Sequence, residues 1–215
     1  MASLRALAIV LAVALCATPA AAQFGWLFSP RSSYALDAES RAAGAACHPE
    51  RMTRYRSRTL RTSSSVIVDP AFAARLPELE RVLREVAIER YGRAPRRMLT
   101  VGGFVCRGIR GREDRISEHA LGNALDVSGF ELGPLPRGAV VPAGMPRALR
   151  RPFTVTLAHD WSRDTEIGRY HGAFLRALVS RLVHDDVFRV IYGPRHPGHS
   201  GHFHFDMSPF RWIDV

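Results

Sequence analysis

The chain has 215 residues, 47% of them apolar, with 30 basic and 20 acidic side chains and a net charge of +10. That length leaves room for one domain with a real core, and after the N-terminal segment no stretch is apolar for long enough to cross a membrane. The basic residues are all arginine and scattered, with no dense block and no interleaved aromatic ladder, which argues against nucleic acid as a partner.

The first 22 residues read as a signal peptide. Arg5 supplies the positive charge, residues 6–17 form a short apolar run, and Ala20, Ala21 and Ala22 give the small-residue cleavage pattern. The new N-terminus falls near Gln23, and Leu15 before Cys16 argues against lipidation. The expected destination is therefore the periplasm or cell envelope. There the net charge suits attraction to anionic polymers, a screened effect that aids encounter more than specificity. Cys47 and Cys106 are the two remaining cysteines, and in an exported chain an even pair reads as a disulfide.

Residues 23–62 are rich in Ser, Ala and Arg with little apolar periodicity, so an extended arm pinned by Cys47 is expected ahead of a domain over 63–215. Order is expected to begin at the strand-like run Val66, Ile67 and Val68. Asp69 and Pro70 then start a helical stretch, Pro77 suits its first turn, and Leu79, Val82, Leu83, Val86 and Ala87 form one apolar face up to Gly92. Residues 98–106 read as a strand, 107–115 as an arginine-rich turn, 123–130 as a strand and 131–150 as a long loop. Residues 153–159 alternate like a strand. Ile167, Tyr170, Phe174, Leu178 and Leu182 share a helical face, and 187–192 and 201–207 read as two closing strands. A few helices with a small, central antiparallel sheet make an α+β fold.

Two clusters carry chemistry. In the first, residues 117–126, the strand period puts Ala124, Asp126 and Ser128 on one face and Leu125 and Val127 on the other. The apolar pair can pack inward and leave a carboxylate among small residues, while Gly122 lets the chain turn so that His119 and Asp126 point at one spot. In the second, His196, His199, His202 and His204 lie within nine residues. His202, His204 and Asp206 share a strand face opposite Phe203, Phe205 and Met207. Imidazoles are costly to bury unpaired and are the commonest metal ligands. A loose surface metal sponge would not need the alternating phenylalanines. Two His and one Asp make the open three-ligand shell of catalytic zinc. The same donor set serves iron oxygenases, but these usually space His and Asp two apart, and an oxidising compartment disfavours reduced iron.

The motif Ser-x-His-x-x-Gly-x-Ala-x-Asp at residues 117–126, with the His-x-His of His202 and His204, resembles the zinc peptidase superfamily. That superfamily includes D-Ala-D-Ala carboxypeptidases, murein endopeptidases and the hedgehog signalling domain. More closely, SEHALGNALDVSGF and HFHFD are similar to the bacterial extensin-like C-terminal domain family, over about residues 65–211. The resemblance implies a hedgehog/DD-peptidase-like fold, zinc held by His119, Asp126 and His204, and peptidoglycan or its muropeptides as substrate of an endopeptidase or carboxypeptidase. Many relatives carry a carboxylate three residues before the final ligand as general base. Gly201 stands there instead, while His199, His202 and His204 match the spacing of the murein endopeptidase branch. His202, and next His199, are the expected base or oxyanion donor. Arg107 is a candidate for a substrate carboxylate or a solvated turn residue, and Ser117 a candidate for a substrate hydrogen bond or a cap. Asp206 is expected to orient His202 or His204. A monomer is expected. A zinc-bearing envelope-binding module without hydrolysis is the alternative reading.

Overall fold

The computed structural model describes residues 47–215. The expected signal peptide and the first part of the arm lie outside the described residues. The architecture is α+β, with a seven-stranded sheet, two two-stranded sheets and a few helices.

Residues 47–62 already contain ordered elements. Strand β1 (Thr53–Tyr55) pairs antiparallel with β3 (Val66–Val68), and β2 (Arg61–Thr62) pairs with β4 (Pro95–Gly102). This corrects the expectation that order begins at Val66. Side-chain bonds hold the segment where apolar periodicity is weak: Tyr55 donates to Glu80 at 2.5 Å, and Thr59 donates to the same carboxylate. Cys47 is bonded to Cys106, with Cα atoms 5.7 Å apart.

Asp69 caps helix α1 (Pro70–Ala73) by accepting from the Ala71 N–H at 2.8 Å. Helix α2 (Leu76–Tyr91) follows, and Gly92 ends it at φ 68°, the left-handed conformation that favours glycine. Strand β4 stops at Gly102, earlier than expected, because its pairing with β7 (Ala124–Leu132) ends at Asp126. The arginine-rich segment expected as a turn is a hairpin, β5 (Gly108–Ile109) with β6 (Arg112–Ile116).

The 131–150 loop ends in a 3-10 turn over Arg147–Arg150. Residues 153–159 are only half strand. Strand β8 (Phe153–Thr156) gives way to α3 (Leu157–Asp160), where the Thr156 N–H donates to the Asp160 carboxylate at 2.9 Å and closes a helical turn. Helix α4 (Glu166–His184) starts at Thr165, whose hydroxyl accepts from the Gly168 N–H. Strands β9 (Val190–Tyr192) and β10 (Phe203–Asp206) follow, and then β11 (Trp212–Asp214), which sequence reasoning did not foresee.

The large sheet has the order β11-β9-β10-β7-β4-β2, with β8 also pairing β7. It is antiparallel at its centre, but both edges are parallel: β11 on β9 and β2 on β4. The expected central antiparallel sheet is thus extended by one parallel strand at each edge. One face is covered by apolar side chains of α2 and α4. Val82, Leu83, Phe174 and Leu178 are buried with Leu125, Val127, Phe130, Phe203 and Phe205. A register shift between Leu99 and Thr100 lets the core side of β7 pass from Leu125 and Val127 to Phe130 and Leu132. The other face carries Asp126 and Glu131. No helix among the described residues is long and apolar enough to cross a membrane.

Candidate metal centre

His119 sits in a 3-10 turn, Glu118–Leu121, whose start is fixed by Ser117: its hydroxyl accepts from the His119 N–H at 3.3 Å. Gly122, at φ 66°, turns the chain back into β7. Any Cβ there would collide with Met52 and lie 2.5 Å from the Asp69 nitrogen. Asp126 then faces out of β7, and β10 lies antiparallel beside it with His204 directly opposite.

The result is a tight triangle. His119 Nε2 lies 3.2 Å from Asp126 Oδ2, His204 Nδ1 lies 3.0 Å from Asp126 Oδ1, and the two nitrogens are 3.1 Å apart. Both imidazoles are buried, at 3% and 7% exposure. Their outer nitrogens fix the tautomers. His119 Nδ1 lies 2.7 Å from the Gly103 carbonyl, which only an N–H can bond. His204 Nε2 lies 2.9 Å from Asp206 Oδ2, so its N–H points there. These bonds leave His119 Nε2 and His204 Nδ1 as the nitrogens that face the Asp126 carboxylate, the two that could offer lone pairs to a metal ion.

Three acceptors facing each other repel unless a cation lies among them. Tetrahedral zinc with bonds of about 2.0–2.1 Å needs donor atoms roughly 3.3 Å apart, which these separations approach. The donor set fits a divalent metal, and among the described residues His119, Asp126 and His204 form the cluster able to hold one.

Electrostatics agree. Burial resists ionisation of Asp126, but the bonds from His119 and His204 outweigh it and hold the carboxyl well below the usual carboxylate range. Burial likewise opposes a charge on His204, yet Asp126 and Asp206 push its pKa up to about 9. Without a metal, the cluster thus answers its own repulsion by taking up a proton, which a metal ion would displace.

The other sequence-predicted residues divide. His202 is brought in: its Nε2 lies 3.9 Å from Asp126 Oδ2, its side chain is partly exposed, and burial lowers its pKa. His199 stands behind it with rings 4.9 Å apart, and burial brings its pKa down to about 4. Asp206 meets His204 and also accepts from the Ser208 N–H at 2.8 Å. Ser117 is used as a cap. Arg107 is exposed, donates to the Gly108 carbonyl at 3.3 Å, and takes part in none of the cluster's bonds. Gly201 is spacious: a Cβ there would meet only Ala158, at 3.7 Å.

Sequence reasoning missed three neighbours. The Gly103 carbonyl orients His119, and Gly102 lies so close to Asp126 that a Cβ would stand 2.8 Å from Oδ2. The adjacent glycines at the end of a strand were the available signal. Tyr192, opposite His204 on β9, stacks with it at 5.5 Å between ring centroids, and no sequence signal marked it.

Fold and site define an α+β domain with a His-Asp-His cluster that could hold a metal ion. The chain belongs to the family described as extensin-like protein C-terminus, whose pattern matches residues 28–143. That match includes His119 and Asp126 and ends before His204. No curated protein and no solved structure matches the chain.

Proposed function

We propose that the protein is an exported, monomeric zinc-dependent hydrolase that cuts peptide bonds in peptidoglycan, as an endopeptidase or carboxypeptidase of the zinc peptidase superfamily. The observation that carries the reading is the convergence of His119, Asp126 and His204, with donor atoms 3.0–3.2 Å apart on the face of the sheet away from the helical core. The likeness of residues 117–126 and of His202 and His204 to that superfamily supports the substrate class.

Zinc, when bound, supplies Lewis acidity: it acidifies water and polarises a carbonyl. The chain's own residues do the rest. Gly103 and Asp206 hold the ligand imidazoles in the tautomers that leave His119 Nε2 and His204 Nδ1 free. His202 Nε2, neutral and next to Asp126, is placed to accept a proton and return it to a leaving amine. His199, pushed further down by burial, is the weaker base.

Metal content of the purified protein and digestion of intact sacculi test this together. One equivalent of zinc and new free amines on sacculi are expected, with the fragments' masses naming the bond. His204→Ala should keep the fold and lose metal and activity, and activity surviving that change would refute the assignment. The alternative, a zinc-bearing envelope-binding module, is favoured by one observation: Gly201 stands where a carboxylate base is common. Zinc bound without new amines would decide for it.

A further inference from the structure

A cleft of about 680 Å³ lies away from the metal centre, between the segment around Arg58–Arg61, the start of β4, the end of β7 and β8. Its floor is one transverse row of the large sheet. Arg61 is opposite Arg97, Arg97 opposite Glu131, and Glu131 opposite Thr154. Met98 and Phe130 point into the core on the next rung, so this row faces outward, as Asp126 does. The metal row, Gly102–Asp126–His204–Tyr192, is on the same face. Five strand steps lead from Asp126 to Glu131, about 16 Å at some 3.3 Å each.

The charges of the cleft are unbalanced. Arg97 donates to Glu131 at 3.3 Å, and Arg58, Arg61 and Arg96 also line the cleft with no acidic partner among the described residues. Like charges opposite each other, such as Arg61 and Arg97, destabilise strand pairing. An anion between them removes that penalty. Guanidinium groups pair with carboxylates in bidentate fashion.

We propose that this cleft binds an acidic peptide, distinct from anything held at the metal centre. Its carboxylates take the guanidiniums of Arg61 and Arg96, and its N–H groups take Glu131 and Thr154. Glu131 is what selects a peptide. A fully ionised phosphate has no hydrogen to donate to that carboxylate, whereas a peptide presents N–H donors as well as acceptors and satisfies both signs of the row.

The probe is a six-residue L-glutamate peptide, titrated calorimetrically into the full mature chain at low salt, where exposed charges are least screened. The double variant Arg61→Gln, Arg96→Gln breaks no ion pair and should weaken binding about tenfold or more. The variant Arg169→Gln, Arg211→Gln removes the same charge from surface pairs with Asp164 and Asp186, and should stay within about twofold of wild type. His204→Ala should bind the peptide as wild type does. Equal losses in both arginine variants would overturn the proposal in favour of unspecific surface charge. A loss in His204→Ala would move the ligand to the metal centre. Tripolyphosphate binding more tightly than the peptide, with the same dependence on Arg61 and Arg96, would overturn the choice of a peptide.

Discussion

Gly102→Ala separates the candidate metal centre from the fold that carries it. Gly102 lies opposite Asp126, and an added methyl would stand 2.8 Å from Oδ2 and 3.4 Å from Cβ and Cγ of that side chain. A relaxed carbon–oxygen contact needs roughly half an ångström more. The obstructing atom ends a short rotatable side chain, so the carboxylate can yield while the strand stays in place. Gly102 has no positive φ, so alanine there restricts the unfolded chain and gains about 0.4–1 kcal/mol. The metal is less forgiving, since donor distances are held within about 0.2 Å. The expected result is a metal-free protein that melts at or slightly above the wild-type temperature but binds zinc about 10–100-fold more weakly. That loss corresponds to about 1.4–2.7 kcal/mol. Competition with a chromogenic chelator measures the affinity, and a melt of the metal-free protein measures the fold. Wild-type zinc affinity in this variant would refute Asp126 as a ligand in the orientation described.

Other outcomes follow from the same contacts. Asp206→Ala removes the acceptor of the His204 Nε2–H and should lower zinc affinity about 10–100-fold, read by the same competition. Gly201→Glu has space for the side chain and no positive φ to resist it. If a missing carboxylate base limits hydrolysis, release of amines from sacculi should rise by about tenfold or more at unchanged zinc content. Replacing both Cys47 and Cys106 by Ser opens a link between positions 59 apart and should cost about 4 kcal/mol in a denaturant titration, with zinc affinity preserved. Burial lowers the pKa of His171, which bonds Tyr91 at 2.8 Å, below 6.5. The unfolded chain therefore takes up this proton first. Stability should hold above about pH 6.5 and decline as pH falls toward the folded pKa, and His171→Gln should flatten that slope in melts across pH.

Much of the fold was legible because burial writes itself into spacing. The apolar face of α2 and the alternation in β7 and β10 needed no partner to be recognised. The errors fall where order comes from single polar bonds. Residues 53–62 are held by Glu80 taking Tyr55 and Thr59, a contact across more than 20 positions that no local pattern announces. The helical turn of α3 depends on Asp160 reaching back to the Thr156 N–H. β11 is three residues at a partly exposed edge, too short for periodicity to register.

The centre divides along the same line. Alternation alone sets Asp126 opposite Leu125 and His204 opposite Phe203, so each ligand's face could be read without a structure. What aims them could not, because it is main-chain geometry: a Gly103 carbonyl behind His119 and the missing Cβ of Gly102 beside Asp126. Arg61, Arg97, Glu131 and Thr154 share a row only because four strands from distant parts of the chain meet in one register. A strand's own sequence fixes which side chains it turns outward, but only pairing fixes which of them become neighbours. His119, Asp126 and His204 could be read although they come from a turn and two strands, because each stands in a motif of its own; the arginine row carries no motif, and its chemistry stays hidden until the sheet is assembled.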